Sequence, residues 1–146
     1  MSELGEQTGS EQRRAAQRLL LIAALLAGSA VILGAFAAHL LRGELSPRAL
    51  HSFETGARYQ LTHALALLWI GGRLERAPSG ALSWAGRLIA GGIFLFSGSL
   101  YGLSLGGPRW LGPVTPLGGL ALISGWLLLA ISLWRGLSAR AESTRP

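Results

Sequence analysis

Glu54 and Arg58 stand at i and i+4, the spacing at which an acid and a base can pair on one helix face. On a helix at 100° per residue, Gly56, Tyr59 and His63 fall on an adjacent face, with Thr55 and Thr62 between. Glu54, Arg58 and His63 could therefore form a polar track that grips a ligand or carries an ion. His39 is the only ionisable residue between Leu19 and Leu41. With Ser97 or Ser99 it could form a hydrolytic dyad, and with His63 a pair of axial haem ligands. Other chemistry is excluded by residue type. There is no Cys, so thiol catalysis, zinc knuckles and disulfides are absent. There is no Asp, so an aspartyl nucleophile is absent too.

The elements that position these residues are written in four apolar runs. Half of the 146 residues are hydrophobic and only 14% are charged, against roughly 25% in a typical soluble domain. Leu19–Leu41, Ala81–Leu105 and Val114–Trp134 are each close to the roughly 20 apolar residues that cross a bilayer. The second run, Leu61–Gly72, is too short by itself. Ser46-Pro47, however, is a helix start, with Ser as N-cap and Pro at the first helical position, and Gly71-Gly72 offers a stop. A helix over 47–72 would be about 39 Å long. Its polar first half would have to be interfacial or shielded by neighbours. The expected fold is all-α: a four-helix transmembrane bundle with helices near 19–41, 47–72, 81–105 and 114–134. These make a membrane domain over 18–135, between polar tails over 1–17 and 136–146 whose extremities are expected to be disordered.

Arginine supplies every basic position, giving a net charge of +6. Arg13, Arg14, Arg18, Arg73, Arg76, Arg87, Arg135, Arg140 and Arg145 would lie on one side of the membrane, and Arg42, Arg48, Arg58 and Arg109 on the other. The positive-inside rule then places both termini in the cytoplasm, as an even number of spans requires. Trp69, Trp84 and Trp134 fall at the inner interface, and Trp110 and Tyr101 at the outer one. The arginines form no continuous basic stripe, so nucleic acid is not an expected partner. Ala35-Phe36-Ala37 imitates a signal-peptide cleavage site, but the apolar run before it is too long and its tail carries Glu3, Glu6 and Glu11. The first helix is expected to stay uncleaved.

Depth then sorts the polar residues. With the inner end of the second helix at Gly72, Glu54 and Arg58 lie within about 8 Å of the outer boundary and His63 near the midplane. His39 shares the outer leaflet. So do Ser97, Ser99 and Tyr101, within Phe94-Leu95-Phe96-Ser97-Gly98-Ser99-Leu100-Tyr101. Thr115, a candidate N-cap for Pro116, joins them. The distinctive segments of all four helices thus converge in the outer half. The plainer reading is helix packing. Ala30, Gly34 and Ala38, then Gly98 and Gly102, then Gly118, Ala121 and Gly125 would be small-residue stripes, with hydroxyls bonding between helices.

Four segments carry a family resemblance: Gly34-Ala35-Phe36-Ala37-Ala38-His39; Phe53-Glu54-Thr55-Gly56-Ala57-Arg58-Tyr59-Gln60 with His63-Ala64; Phe96-Ser97-Gly98-Ser99-Leu100-Tyr101; and Gly112-Pro113-Val114-Thr115-Pro116-Leu117-Gly118-Gly119 with Gly125-Trp126. Over roughly Leu20 to Trp134 the chain resembles the YgdD-like family of small membrane proteins, domain of unknown function 423, to which eukaryotic transmembrane protein 256 is related. The resemblance implies about four membrane helices in the bacterial inner membrane. It supplies no activity and no catalytic residues.

The functional expectation is a non-enzymatic accessory or assembly protein without a cofactor or metal. Its polar cluster (His39, Glu54, Arg58, Tyr59, Gln60, His63, Ser97, Ser99, Tyr101 and Thr115) would meet a lipid, a membrane-protein partner or another copy in a homo-oligomer. The alternative is an oligomeric small transporter or channel subunit using Glu54, Arg58 and His63. The haem pairing suffers from unequal depth, about 12 Å between His39 and His63 along the normal. The serine dyad competes with the ordinary packing role of Ser in membrane helices.

Overall fold

The computed structural model describes the backbone of residues 2–143 and the side chains of residues 9–138. Four long helices account for almost all of it: α1 (Ser2–His39), α2 (Pro47–Arg76), α3 (Gly80–Ser104) and α4 (Val114–Ser143). A short 3-10 turn, Arg109–Leu111, sits between α3 and α4, and there is no strand among the described residues. Three stretches are long and apolar enough to cross a membrane: Gly9–His39, Gly80–Ser104 and Arg109–Ser138. α2 is the exception, because its sequence is amphipathic rather than apolar.

Several boundaries differ from expectation. α1 runs through most of the segment read as a polar tail. Its Glu, Gln, Arg and Ala are good helix formers, and a nucleated helix propagates at little cost. α4 likewise continues beyond Trp134. Met1 and residues 144–146 lie outside the described residues, and the side chains of Glu3, Glu6, Arg140 and Arg145 lie outside the described side chains. Ser46 caps α2 as expected, its hydroxyl accepting from the Ala49 N–H at 3.3 Å with Pro47 in the first turn. Gly71-Gly72 does not stop the helix, which ends at Arg76, just ahead of Pro78. Gly71 is buried instead, and a methyl there would meet the Leu20 side chain at 2.8 Å. α3 ends at Ser104 and is closed just beyond by Gly106, whose φ of 83° is open to glycine. The Gly107 N–H reaches the Gly102 carbonyl at 2.7 Å and the Gly106 N–H reaches Leu103 at 3.3 Å, the paired bonds of a Schellman cap.

Each helix packs on the next: α1 on α2, α2 on α3, α3 on α4, with no extensive contact between α1 and α4. The bundle is therefore an open row. On α1, Ala16, Ala23, Ala30 and Ala37 are buried, one heptad apart. The facing residues of α2, Phe53, Ala57, Gln60, Ala64, Leu67 and Gly71, alternate by four and three. Such a pattern gives a shallow left-handed crossing, and alanine lets the backbones approach closely. This replaces the expected Ala30-Gly34-Ala38 stripe. Ala38 is only half-buried, and Gly34 has open space where a Cβ would stand. Gly98 is likewise exposed, and Gly102 faces Leu111. Between α3 and α4 the glycines do carry the contact. A methyl on Gly118 would strike the backbone of Phe96, and one on Gly125 would meet Ile89 at 2.6 Å. Gly92, on α3, is as tight against Leu122. One apolar core, including Ala23, Leu67, Ile70, Ile89, Ile93 and Leu122, runs through all four helices.

Candidate functional site

The candidate polar residues lie between the middle of the bundle, where Gln60 and His63 stand on α2, and the end away from both termini, and they divide into two sets. The first lies inside. Gln60 is only 5% exposed. Its amide nitrogen donates to the Leu26 carbonyl at 2.9 Å and to Ser29 Oγ at 2.8 Å, and its amide oxygen accepts from the Tyr101 hydroxyl at 2.9 Å. One side chain thereby joins α1, α2 and α3. Tyr101 is placed by Gly56, where a Cβ would meet its ring at 2.9 Å, and by Phe53, whose ring centroid lies 4.8 Å away. It is therefore partly buried and turned onto α2, where an outer-interface aromatic was expected from its position. Trp110 is exposed at this end, while Trp69, Trp84 and Trp134 are exposed toward the other.

Ser99 Oγ donates to the Phe96 carbonyl at 2.9 Å and shares a 2.7 Å bond with Thr115 Oγ1. Thr115 lies inside the first turn of α4, so it links α3 to α4 and is not an N-cap. His63 is buried, with Nδ1 2.7 Å from the Tyr59 carbonyl. Its ring stacks on Tyr59 at 5.6 Å and meets Trp126 edge-on at 6.1 Å, and Tyr59 in turn packs on Phe96 at 4.6 Å. Ser97, 1% exposed, is the one described side chain whose buried oxygen has no hydrogen-bond partner.

The second set faces outward from α2. His51, Arg58, Thr62, Leu65 and Trp69 are exposed, with Glu54 and Thr55 partly so. Glu54 and Arg58 form no ion pair, although their spacing permits one. The Thr55 and Thr62 hydroxyls donate to the carbonyls four residues back, His51 at 2.8 Å and Arg58 at 2.9 Å. Such bonds cancel part of the cost of a hydroxyl facing lipid. His63 does not join this strip, so Glu54, Arg58 and His63 make no continuous track within one chain. His39 is exposed at the end of α1, at the edge of the row. Ser99 is turned toward α4, so no Ser–His dyad is assembled.

Glutamine and the back-bonded threonines were visible in the sequence, but their partners were not. Ser29 and Leu26 had no signal, because a backbone carbonyl and a lone Ser in an apolar run look like any others.

A family model for "Protein of unknown function (DUF423)" matches residues 33–119. The chain belongs to this family. Every candidate residue from His39 to Thr115 lies within the DUF423 match. A UPF0382 membrane protein of Staphylococcus aureus is 44% identical over 116 residues, covering 80% of this chain and 94% of the relative. The UPF0382 membrane protein YwdK of Bacillus subtilis is 40% identical, covering 77% and 93%. The UPF0382 inner membrane protein YgdD of Escherichia coli K12 is 38% identical, covering 81% and 91%. No solved structure matches the chain. The DUF423 relatives are named as membrane proteins and none of these names describes an enzyme.

Proposed function

We propose that this DUF423 protein is a non-enzymatic assembly or accessory protein that associates within the membrane through the outward strip of α2. One observation carries the reading: Glu54 and Arg58 stand unpaired on a side of α2 that neither α1 nor α3 covers. A charged side chain within a span is costly, roughly 2.5–3.5 kcal/mol at the helix centre on insertion scales, and such residues usually meet a partner. Apart from Ser97, the inward polar residues already have partners within the chain. The outward ones need theirs from outside. Two copies related by an axis along the membrane normal keep like residues at equal depth, and each Arg58 side chain can reach the roughly 6 Å along the helix to Glu54 of the other copy. A second copy is thus the partner that this charge pattern fits best. The name of the Escherichia coli relative supports a bacterial inner-membrane location, and the arginine distribution supports both termini in the cytoplasm.

The chain contains no cysteine, so single introduced cysteines give clean cross-linking. In isolated membranes Thr55→Cys and Thr62→Cys should yield disulfide-linked dimers, and Arg58→Gln should diminish them. Leu120→Cys and Ile123→Cys, on the exposed face of α4, should not. Equal yields from α4, or none from α2, would refute the self-association. Fusions of a periplasm-active reporter to the C-terminus should be silent; an active fusion would overturn the orientation.

A further inference from the structure

At the end of the bundle near the termini, away from the strip just described, α2 and α4 both pack on α3 without extensive contact with each other. A groove of about 950 Å³ opens between them. Arg73 and Arg76 from the last turn of α2 and Arg135 from α4 line it, and Trp69, Leu133 and Leu137 supply apolar wall. No carboxylate is among its lining residues. All three arginines are exposed and none makes an ion pair among the described residues. The first turn of α3 forms part of the floor through Ser79, Ala81 and Leu82.

Three guanidinium groups lining one groove, with no carboxylate among its lining residues, repel one another, and a bound anion relieves that repulsion. Guanidinium forks match phosphate oxygens in pairs. The walls add a second requirement, since the exposed indole of Trp69 and the exposed Leu133 suit an acyl chain rather than water. Depth agrees with both. Trp69 and Trp134 are exposed where apolar helix gives way to arginine, the level of lipid headgroups. We infer that this groove binds an anionic phospholipid, its phosphodiester held by Arg73, Arg76 and Arg135 and an acyl chain lying along Trp69 and Leu133. This site is independent of the α2 strip and would remain if the chain proved monomeric.

The test is native mass spectrometry of the full chain in detergent, titrated with phosphatidylglycerol, phosphatidylcholine or inorganic phosphate. The wild type should retain phosphatidylglycerol over phosphatidylcholine by about tenfold or more, and inorganic phosphate should not displace it. The triple variant Arg73→Gln, Arg76→Gln, Arg135→Gln should lose that preference. A control with the same net charge, Arg13→Gln, Arg14→Gln, Arg18→Gln, should keep it. Equal loss in the control would reduce the effect to general surface attraction, and displacement by phosphate would make the site a phosphate site; either overturns the inference. Should the triple variant fail to fold, the wild type still decides. Brominated phosphatidylglycerol should quench its tryptophan emission more than brominated phosphatidylcholine, with the excess lost in Trp69→Phe. Equal quenching by the two lipids would overturn the assignment.

Discussion

The Tyr101 hydroxyl donates to Gln60 Oε1 at 2.9 Å, and through that one amide α3 is tied to α2 and onward to α1. Hydrogen bonds between membrane helices are worth about 0.6 kcal/mol on average and up to roughly 1.7. Tyr101→Phe should therefore cost about 0.5–1.5 kcal/mol. Gln60→Ala should cost more, since it also removes the donors to Leu26 and Ser29 and leaves the partly buried tyrosine hydroxyl without its acceptor. Reversible unfolding in mixed detergent micelles measures both, and the double variant should show a coupling energy above zero. Strict additivity would disprove the link.

Two neighbouring serines should respond in opposite directions. Ser97 Oγ is buried without a partner, so Ser97→Ala should be neutral or stabilising by up to about 1 kcal/mol. Ser99 bonds Thr115 across the α3–α4 contact, so Ser99→Ala should destabilise by about 0.5–1.5 kcal/mol. The same unfolding assay reads both, and a greater loss at Ser97 would contradict the placement.

Glycines divide the same way. At Gly118 an added methyl would strike the Phe96 backbone, which cannot swing aside. Gly118→Ala should push α4 off α3 and cost about 1–3 kcal/mol. At Gly28 and Gly34 nothing stands within 4 Å of the added carbon. Alanine there should stabilise by up to about 1 kcal/mol through helix propensity. Thermal melts of the three variants in one detergent give the comparison, and a loss at Gly34 would restore it to a packing role.

α2 should insert poorly alone. It is not among the stretches apolar enough to cross a membrane, and Arg58 faces outward. Tested as an isolated segment for translocon insertion by glycosylation mapping, α2 should remain largely uninserted. Preceded by α1 it should insert efficiently, and Arg58→Leu should raise the isolated segment's insertion by up to about 3 kcal/mol in apparent free energy. Full insertion of isolated wild-type α2 would remove the need for its neighbours.

The apolar runs of α1, α3 and α4 and the Ser46-Pro47 start were legible because each depends on local composition. What escaped depends on pairing. Glu54 and Arg58 have the spacing of a salt bridge, but spacing states only that two side chains share a helix face. The alanines of α1 contact α2 at seven-residue intervals, so a stripe at four-residue intervals picks out Gly34, where an added Cβ would meet nothing within 4 Å. Gly71-Gly72 reads as a terminator because glycine permits one, whereas here it admits Leu20. Tyr101 reads as an interface residue by its distance from the helix end, and the Gln60 amide draws it inward. Arg73, Arg76 and Arg135 fall on one charged side by their order in the chain. Their meeting in one groove required the extension of α4 beyond Trp134 and the gap that α3 holds open.

Because every extensive interface joins helices that are consecutive in the chain, the order of synthesis is also an order of assembly. Each helix leaving the ribosome finds its partner already in place: α2 has the alanine face of α1, and α3 has α2. No segment waits exposed for one made much later. Contacts of this local kind close small loops and form fast. α2, the least apolar of the four, follows directly on a finished neighbour that can cover its glutamine as it enters the bilayer.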